Sequence, residues 1–250
     1  MQIQLIRHAT LRISMGGHTI LVDPMLSARE AMDPIQNANN LRRIPLVDLP
    51  FSPLEILKDV NLVLVTHTHR DHWDAAATEL VPKMLPIVCQ PEDETKFREW
   101  GYTDVRSVYD SIEFNGLTII RTGGQHGTGD LARQMAPVSG FVLQFADEPT
   151  LYIAGDTIYC PEVEHALDQH APQVAVVNTG AAQFIMGDPI TMTSADVANV
   201  CRRAPKSRIV AVHMEAINHC HLKRAHLEAA LDREGLKARV LIPLDGEIVL

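Results

Sequence analysis

Leu62-Val63-Leu64-Val65-Thr66-His67-Thr68-His69-Arg70-Asp71-His72-Trp73-Asp74 is the stretch on which the reading turns. A short apolar run, which reads as a buried strand, ends in imidazole and carboxylate groups at positions 67, 69, 71 and 72. In extended chain alternate side chains project to the same side, so His67, His69 and Asp71 converge. His72 follows where the chain turns toward a helix and can swing to the same point. Nitrogen and oxygen donors without thiolate fit zinc, manganese or iron, and affinity order alone does not choose among them. Four polar residues hydrogen-bonded in a surface turn are the plainer reading, and the density of ligand types argues against it.

The rest of the chain supports an enzyme-sized globular fold. It has 250 residues, 22 Lys and Arg against 31 Asp and Glu, and a formal charge of −9. A chain of this length buries roughly three quarters of its unfolded surface and can house a polar site without disulfides. The acidic balance disfavours DNA or long RNA as partner. No apolar run approaches the roughly 18 residues of a membrane span, and the start MQIQLIRHATLRI has no export-signal pattern. Cys89, Cys160, Cys201 and Cys220 show no C-x-x-C pairing and read as buried thiols in a reducing compartment, so a cytoplasmic location is expected.

Periodicity predicts strands over 2–6, 9–14 and 19–23, with Gly16-Gly17 as a turn. Residues Ser27 to Phe51, rich in Pro and Asn, are irregular, and a loop this long is a lid candidate. Ser52-Pro53-Leu54-Glu55 is a capping box opening a short helix. Further strands are expected at 62–66, 87–89, 105–109, 112–114, 118–122, 140–145, 150–154, 174–178, 208–212, 239–242 and 247–250. Helices are expected at 73–80, 92–100, 161–170, 194–204 and 223–234. Hairpins followed by βα units in each half predict an α/β architecture of two sheets packed face to face with helices outside, in one domain spanning 1–250.

His-x-His-x-Asp-His after a strand resembles the signature of the metallo-β-lactamase fold superfamily. The resemblance extends to Asp23-Pro24, to His126 in Gly123-Gly124-Gln125-His126-Gly127, to Asp156 in Ile153-Ala154-Gly155-Asp156-Thr157, and to His213 after the strand 209–212. Within the superfamily the chain is most similar to the L-ascorbate-6-phosphate lactonase-like branch. The resemblance implies a four-layer αββα sandwich of two mixed sheets and two divalent cations. His67, His69 and His126 would hold the first cation, Asp71, His72 and His213 the second, and Asp156 would bridge them. It implies a hydrolase that activates water against an ester-like, lactone or phosphoester bond of a small molecule, with Asp71 and His213 as catalytic candidates.

Other residues carry paired readings. Asp23 and Asp74 are either carboxylates that receive an imidazole N–H or caps of a turn or helix. His8 either touches the pocket or is buried in the opening strands. His219 and His221 could line the substrate side, and Asn178 could reach the rim. His18, His165, His170 and His226 are read as solvated. Arg42 and Arg43 could bind an anionic substrate group or simply face solvent. The glycines near His126 match no nucleotide loop. Two rivals stand beside the hydrolase. In a di-iron redox protein of the same fold, the resemblance would place Glu where this chain has His69, and an electron-carrying domain usually follows. A non-enzymatic metal-dependent binding protein would hold metal and turn over nothing. A homo-oligomer is compatible with either.

Overall fold

A computed structural model describes residues 1–250. The chain opens as an antiparallel meander of β1 (Gln2–Arg7), β2 (Thr10–Met15) and β3 (His18–Val22). Gly16 and Gly17 turn between β2 and β3 at φ 57° and 81°, a region where a side chain would be strained. Parallel strands β4 (Leu62–Val65), β5 (Ile87–Cys89) and β6 (Val105–Ser107) complete a six-stranded sheet in sequence order. Parallel neighbours require crossovers, and α1 (Pro53–Leu57), α2 (Ala75–Leu80) and α3 (Glu94–Glu99) supply them. The expected capping box forms, since the Ser52 hydroxyl accepts from the Glu55 N–H and the Glu55 carboxylate accepts from the Ser52 N–H.

The second half repeats this plan. Antiparallel β7 (Ser111–Phe114), β8 (Leu117–Thr122), β9 (Gly140–Gln144) and β10 (Leu151–Ile153) lead into parallel β11 (Val174–Asn178), β12 (Arg208–Val212) and β13 (Val240–Leu241). Crossovers α5 (Pro161–His170), α6 (Ser194–Arg203) and α7 (Arg224–Arg233) cover this seven-stranded sheet. The two mixed sheets pack through one apolar layer that includes Ile3, Leu5, Ile20 and Leu64 from one and Phe141, Leu143, Ile153 and Val176 from the other. Alternate residues face outward. Val63, Val65 and Ile87 pack on Trp73 and Phe97, while Tyr152, Ala175 and Val177 pack on Val163, Val197 and Leu227. Strands covered on both faces read as continuous apolar runs, which is why β4 has no polar alternation. Each such Val, Leu or Ile contributes about 1.5–3 kcal/mol by leaving water.

Four expectations change. Residues 247–250 are not a regular strand. They lie along β1 through Leu5 N–H to the Glu247 carbonyl and Val249 N–H to the Ile3 carbonyl, with a single bridge at Ile248. The stretch between β8 and β9 contains an unforeseen helix, α4 (Gly129–Met135), whose residues include no fully buried apolar anchor and so left no periodic signal. His18 is buried rather than solvated, set beside Phe114 with its Nε2 at 3.2 Å from the Asn115 carbonyl. Residues 27–51 are irregular as expected but are tied down. The buried Arg7 guanidinium donates to the carbonyls of Met25, Ser27 and Val47. The Asn218 amide donates to the Ile35 and Asn40 carbonyls and accepts from the Ile35 N–H. Ile44 is fully buried in a small apolar cluster with Met25 and Ala216. A segment anchored at both ends and in its middle is a wall, not a free flap.

Candidate metal centre

The site forms where strands of both sheets end on one edge. β4 delivers His67, and the turn beyond it delivers His69, Asp71 and His72. His126 follows β8, Asp156 follows β10, His213 follows β12 and His8 follows β1. Parallel strands whose C-terminal ends lie side by side bring together residues far apart in sequence. His8 and His213, together with Asp23, which follows β3, sit at positive φ (61°, 73° and 43°), and the His213 N–H donates to the His8 carbonyl, tying the two sheets together. Gly155 turns the chain at φ 68°, where a Cβ would lie 2.5 Å from the Ser139 carbonyl oxygen, so its side chain must be absent for Asp156 to reach the cluster.

Potential ligand atoms gather in three groups, each with all its members within 4.8 Å of one another: His67, His69 and His126; His67, His72 and Asp156; and His8, Asp71, His72 and His213. Asp156 stands between the outer two. Its carboxylate lies 3.2 Å from His72 Nε2, 3.2 Å from His213 Nε2, 3.5 Å from His126 Nε2 and 4.0 Å from His67 Nε2. All seven residues expected as ligands are therefore in one place, and all but His69 are buried. His72 Nε2 and His213 Nε2 are buried and make no aligned hydrogen bond despite their short distances to Asp156. Donor atoms that crowd together without satisfying one another fit a divalent cation in their midst.

Outer contacts orient the rings. Asp23 Oδ2 lies 2.8 Å from His72 Nδ1 and also accepts from the Thr66 hydroxyl, while Asp23 Oδ1 accepts from the Thr66 N–H. His126 Nδ1 lies 2.8 Å from the Ile190 carbonyl, so Nδ1 carries the proton and Nε2 is free for a metal. Asn178 donates to Asp156 Oδ1 at 2.7 Å. His213 Nδ1 faces the Cys220 sulfur at 3.7 Å. Asp74 resolves to the capping role, accepting from Ala77 N–H and Ser27 N–H.

The electrostatics divide the ligands. Burial pushes His67, His69 and His126 below the ordinary histidine range. Burial also opposes the charged form of His72, but Asp156, Asp23 and Asp71 outweigh it and raise its pKa to about 10. His213 is likewise raised well above the usual value against its burial, chiefly by Asp156. For Asp71 and Asp156 burial favours the neutral acid, yet the neighbouring histidines win and hold both well below the carboxylate range. Without a cation, protons on His72 and His213 balance two buried carboxylates.

A cavity of about 220 Å³ opens on the cluster. It is lined by the polar groups of His69, Asp71, His126 and Asp156, by the apolar side chains of Ile35, Met135 and Phe184, and by Arg70 and His219. His219 is buried, its Nδ1 has no partner, and burial lowers its pKa to about 4, so it is neutral at pH 7. His221, Arg42 and Arg43 do not line the cavity. Arg43 is spent on the Glu30 and Ala31 carbonyls and on Asp33. The sequence allows His8 either pocket contact or plain burial. Fully buried, with Nε2 3.1 Å from Asp71 Oδ2 and its ring 3.6 Å from that of His213, it belongs to the cluster. The one signal was the polar pair Arg7-His8 breaking an apolar hairpin.

Comparison with known proteins agrees with this architecture. Residues 18–214 match the family model described as the β-lactamase superfamily domain. The UPF0173 protein YddR of Bacillus subtilis is 35% identical over 99% of this chain and 98% of its own. A possible metal-dependent hydrolase from Veillonella parvula is 37% identical with a TM-score of 0.96, covering 99% of this chain and 98% of that one. An isothiocyanate hydrolase from Delia radicum gut bacteria is 38% identical with a TM-score of 0.95, covering 100% and 99%. The chain belongs to the β-lactamase superfamily and, within it, to the UPF0173 metal-dependent hydrolases. It is a metal-dependent hydrolase of the metallo-β-lactamase fold.

Proposed function

We propose that this member of the β-lactamase superfamily is a single-domain hydrolase that holds two divalent cations, zinc foremost, and directs water at an electrophilic carbon of a small molecule. The observation that carries the proposal is Asp156, whose carboxylate lies within reach of both ligand groups. His67, His69 and His126 would hold one cation, Asp71, His72 and His213 the other, with Asp156 between them. The bound cations supply Lewis acidity that lowers the pKa of water and polarises the attacked group.

The chain's own residues do the rest. Asp71, ionised and held through Oδ2 by His8 at 3.1 Å, keeps its carboxylate in the cavity lining to orient the attacking water and accept its proton. His126 and His72 are fixed in orientation by the Ile190 carbonyl and Asp23. His219, neutral and lining the cavity, offers an N–H to the departing atom. Ile35, Met135 and Phe184 exclude bulk water from the reacting side.

For the bond, an isothiocyanate comes first, because a hydrolase of that class is 38% identical over the full length. Water adds to the central carbon of R–N=C=S, and the C–N bond of the resulting thiocarbamate breaks to give the amine and carbonyl sulfide. Lactones and other esters come second, following the lactonase-like resemblance. Phosphoesters come last, since Arg70 is the one cationic side chain lining the cavity. The test is metal content together with turnover of isothiocyanates, lactones, thioesters and phosphoesters by the native chain and by His67→Ala. About two cations per chain, turnover of one carbon-centred class, and loss of both in the variant are expected. Full metal retention in His67→Ala, or turnover confined to phosphoesters, would refute the proposal.

A further inference from the structure

Beside the metal cavity lies a second, larger cleft of about 440 Å³. One wall is α4, through Leu131, Gln134 and Met135, and the other is the loop carrying Phe184, Ile185 and Met186. The loop is fixed in place, because the Ile185 N–H donates to the Asn37 carbonyl at 2.7 Å and the Gln183 amide donates to the Gly187 carbonyl. No charged side chain lines the cleft. Ile185 and Met186 are 62% and 83% exposed, which is costly surface for a protein to present without use. Met135 and Phe184 line both cavities, so the cleft adjoins the space above the metal ligands, with these two side chains at the boundary between α4 and the loop.

The geometry points to this cleft as the subsite for an uncharged apolar tail on the substrate, the reacting group lying over the ligand cluster and the tail running between α4 and Met186. The inference rests on the proposed hydrolase for its reacting group, but the tail is assigned by shape and polarity alone. A cavity of about 220 Å³ accepts a head group, and the added volume accommodates a phenylalkyl or medium alkyl chain. Methionine on both sides favours adaptable packing, so chains of differing shape are accommodated without a rigid template. The paired charges on α4, Arg133 with Asp130, are exposed and do not line the cleft.

The experiment uses n-alkylthioureas from methyl to octyl, which carry the tail and resist hydrolysis, titrated calorimetrically into the metal-loaded protein. Affinity is expected to rise about three- to fourfold per added methylene until the cleft is filled. In Ile185→Asn/Met186→Asn, two exposed positions whose exchange spares the core, that slope should flatten. Equal affinity across the series, or an unchanged slope in the double variant, overturns the assignment. A native dimer that the double variant dissociates, with no chain-length dependence, overturns it in favour of an interface between copies. Because the probes are not turned over, a failed hydrolase reading leaves the slope measurable, and a flat slope leaves the hydrolase standing.

Discussion

Cation binding should release protons, and their number reports which ligands are engaged. In the metal-free protein His67, His69 and His126 are depressed and already neutral at pH 7, and Asp71 and Asp156 are already ionised. His72, at about 10, and His213, also raised, carry protons. A ligand imidazole must be neutral, so filling the His67, His69 and His126 group releases almost none, while filling the Asp71, His72 and His213 group releases about two. The size of the effect follows from the contacts. At 3.2 Å and an effective dielectric constant near 20, the Asp156 carboxylate attracts a charged His72 by about 5 kcal/mol before desolvation. A cation must displace that proton, so the apparent affinity of the second site rises with pH through the neutral range, by up to about tenfold per pH unit for each proton displaced. Zinc titrations in buffers of differing ionisation enthalpy give the proton count directly. Two cations bound at pH 7 with no proton release would refute the charge assignment of His72 and His213.

Two further outcomes are expected. Asp23→Asn keeps the shape but removes the charged acceptor of the His72 Nδ1 proton, so zinc affinity should fall about 10- to 100-fold and the metal-free protein, which loses a buried partner of charged His72, should also be less stable; competition with a chromogenic chelator measures the affinity, and unaltered affinity would show that His72 is oriented by other contacts. Gly155→Ala meets the Ser139 carbonyl oxygen at 2.5 Å in a left-handed conformation, so stability in urea should fall by about 2 kcal/mol or more together with zinc stoichiometry; a neutral result would mean that the turn relaxes freely.

How far the chain could be read depends on distance along it. The ligands at 67, 69, 71 and 72 were legible because extended chain and a following turn impose their convergence locally. Most elements were legible for the same reason, as with the Ser52 to Glu55 capping box and the apolar run of β4, while α4 lacked a buried stripe and passed unseen. His126, Asp156 and His213 could be matched by motif and order, but nothing in their own neighbourhoods distinguishes them from His18. His18 is packed against Phe114, far from the cluster, and His8 within the same opening meander joins it.

Sequence alone determined the layered α/β architecture and the local ligand segment, because both follow from periodicities of two and about four residues. Tertiary structure decided which isolated histidines meet, that residues 27–51 form an anchored wall through Arg7 and Asn218, and that two cavities lie side by side with Met135 and Phe184 lining both. Those facts depend on how the strand ends of two packed sheets align. That alignment is set by the whole buried layer between the sheets, to which no short stretch of chain holds the key.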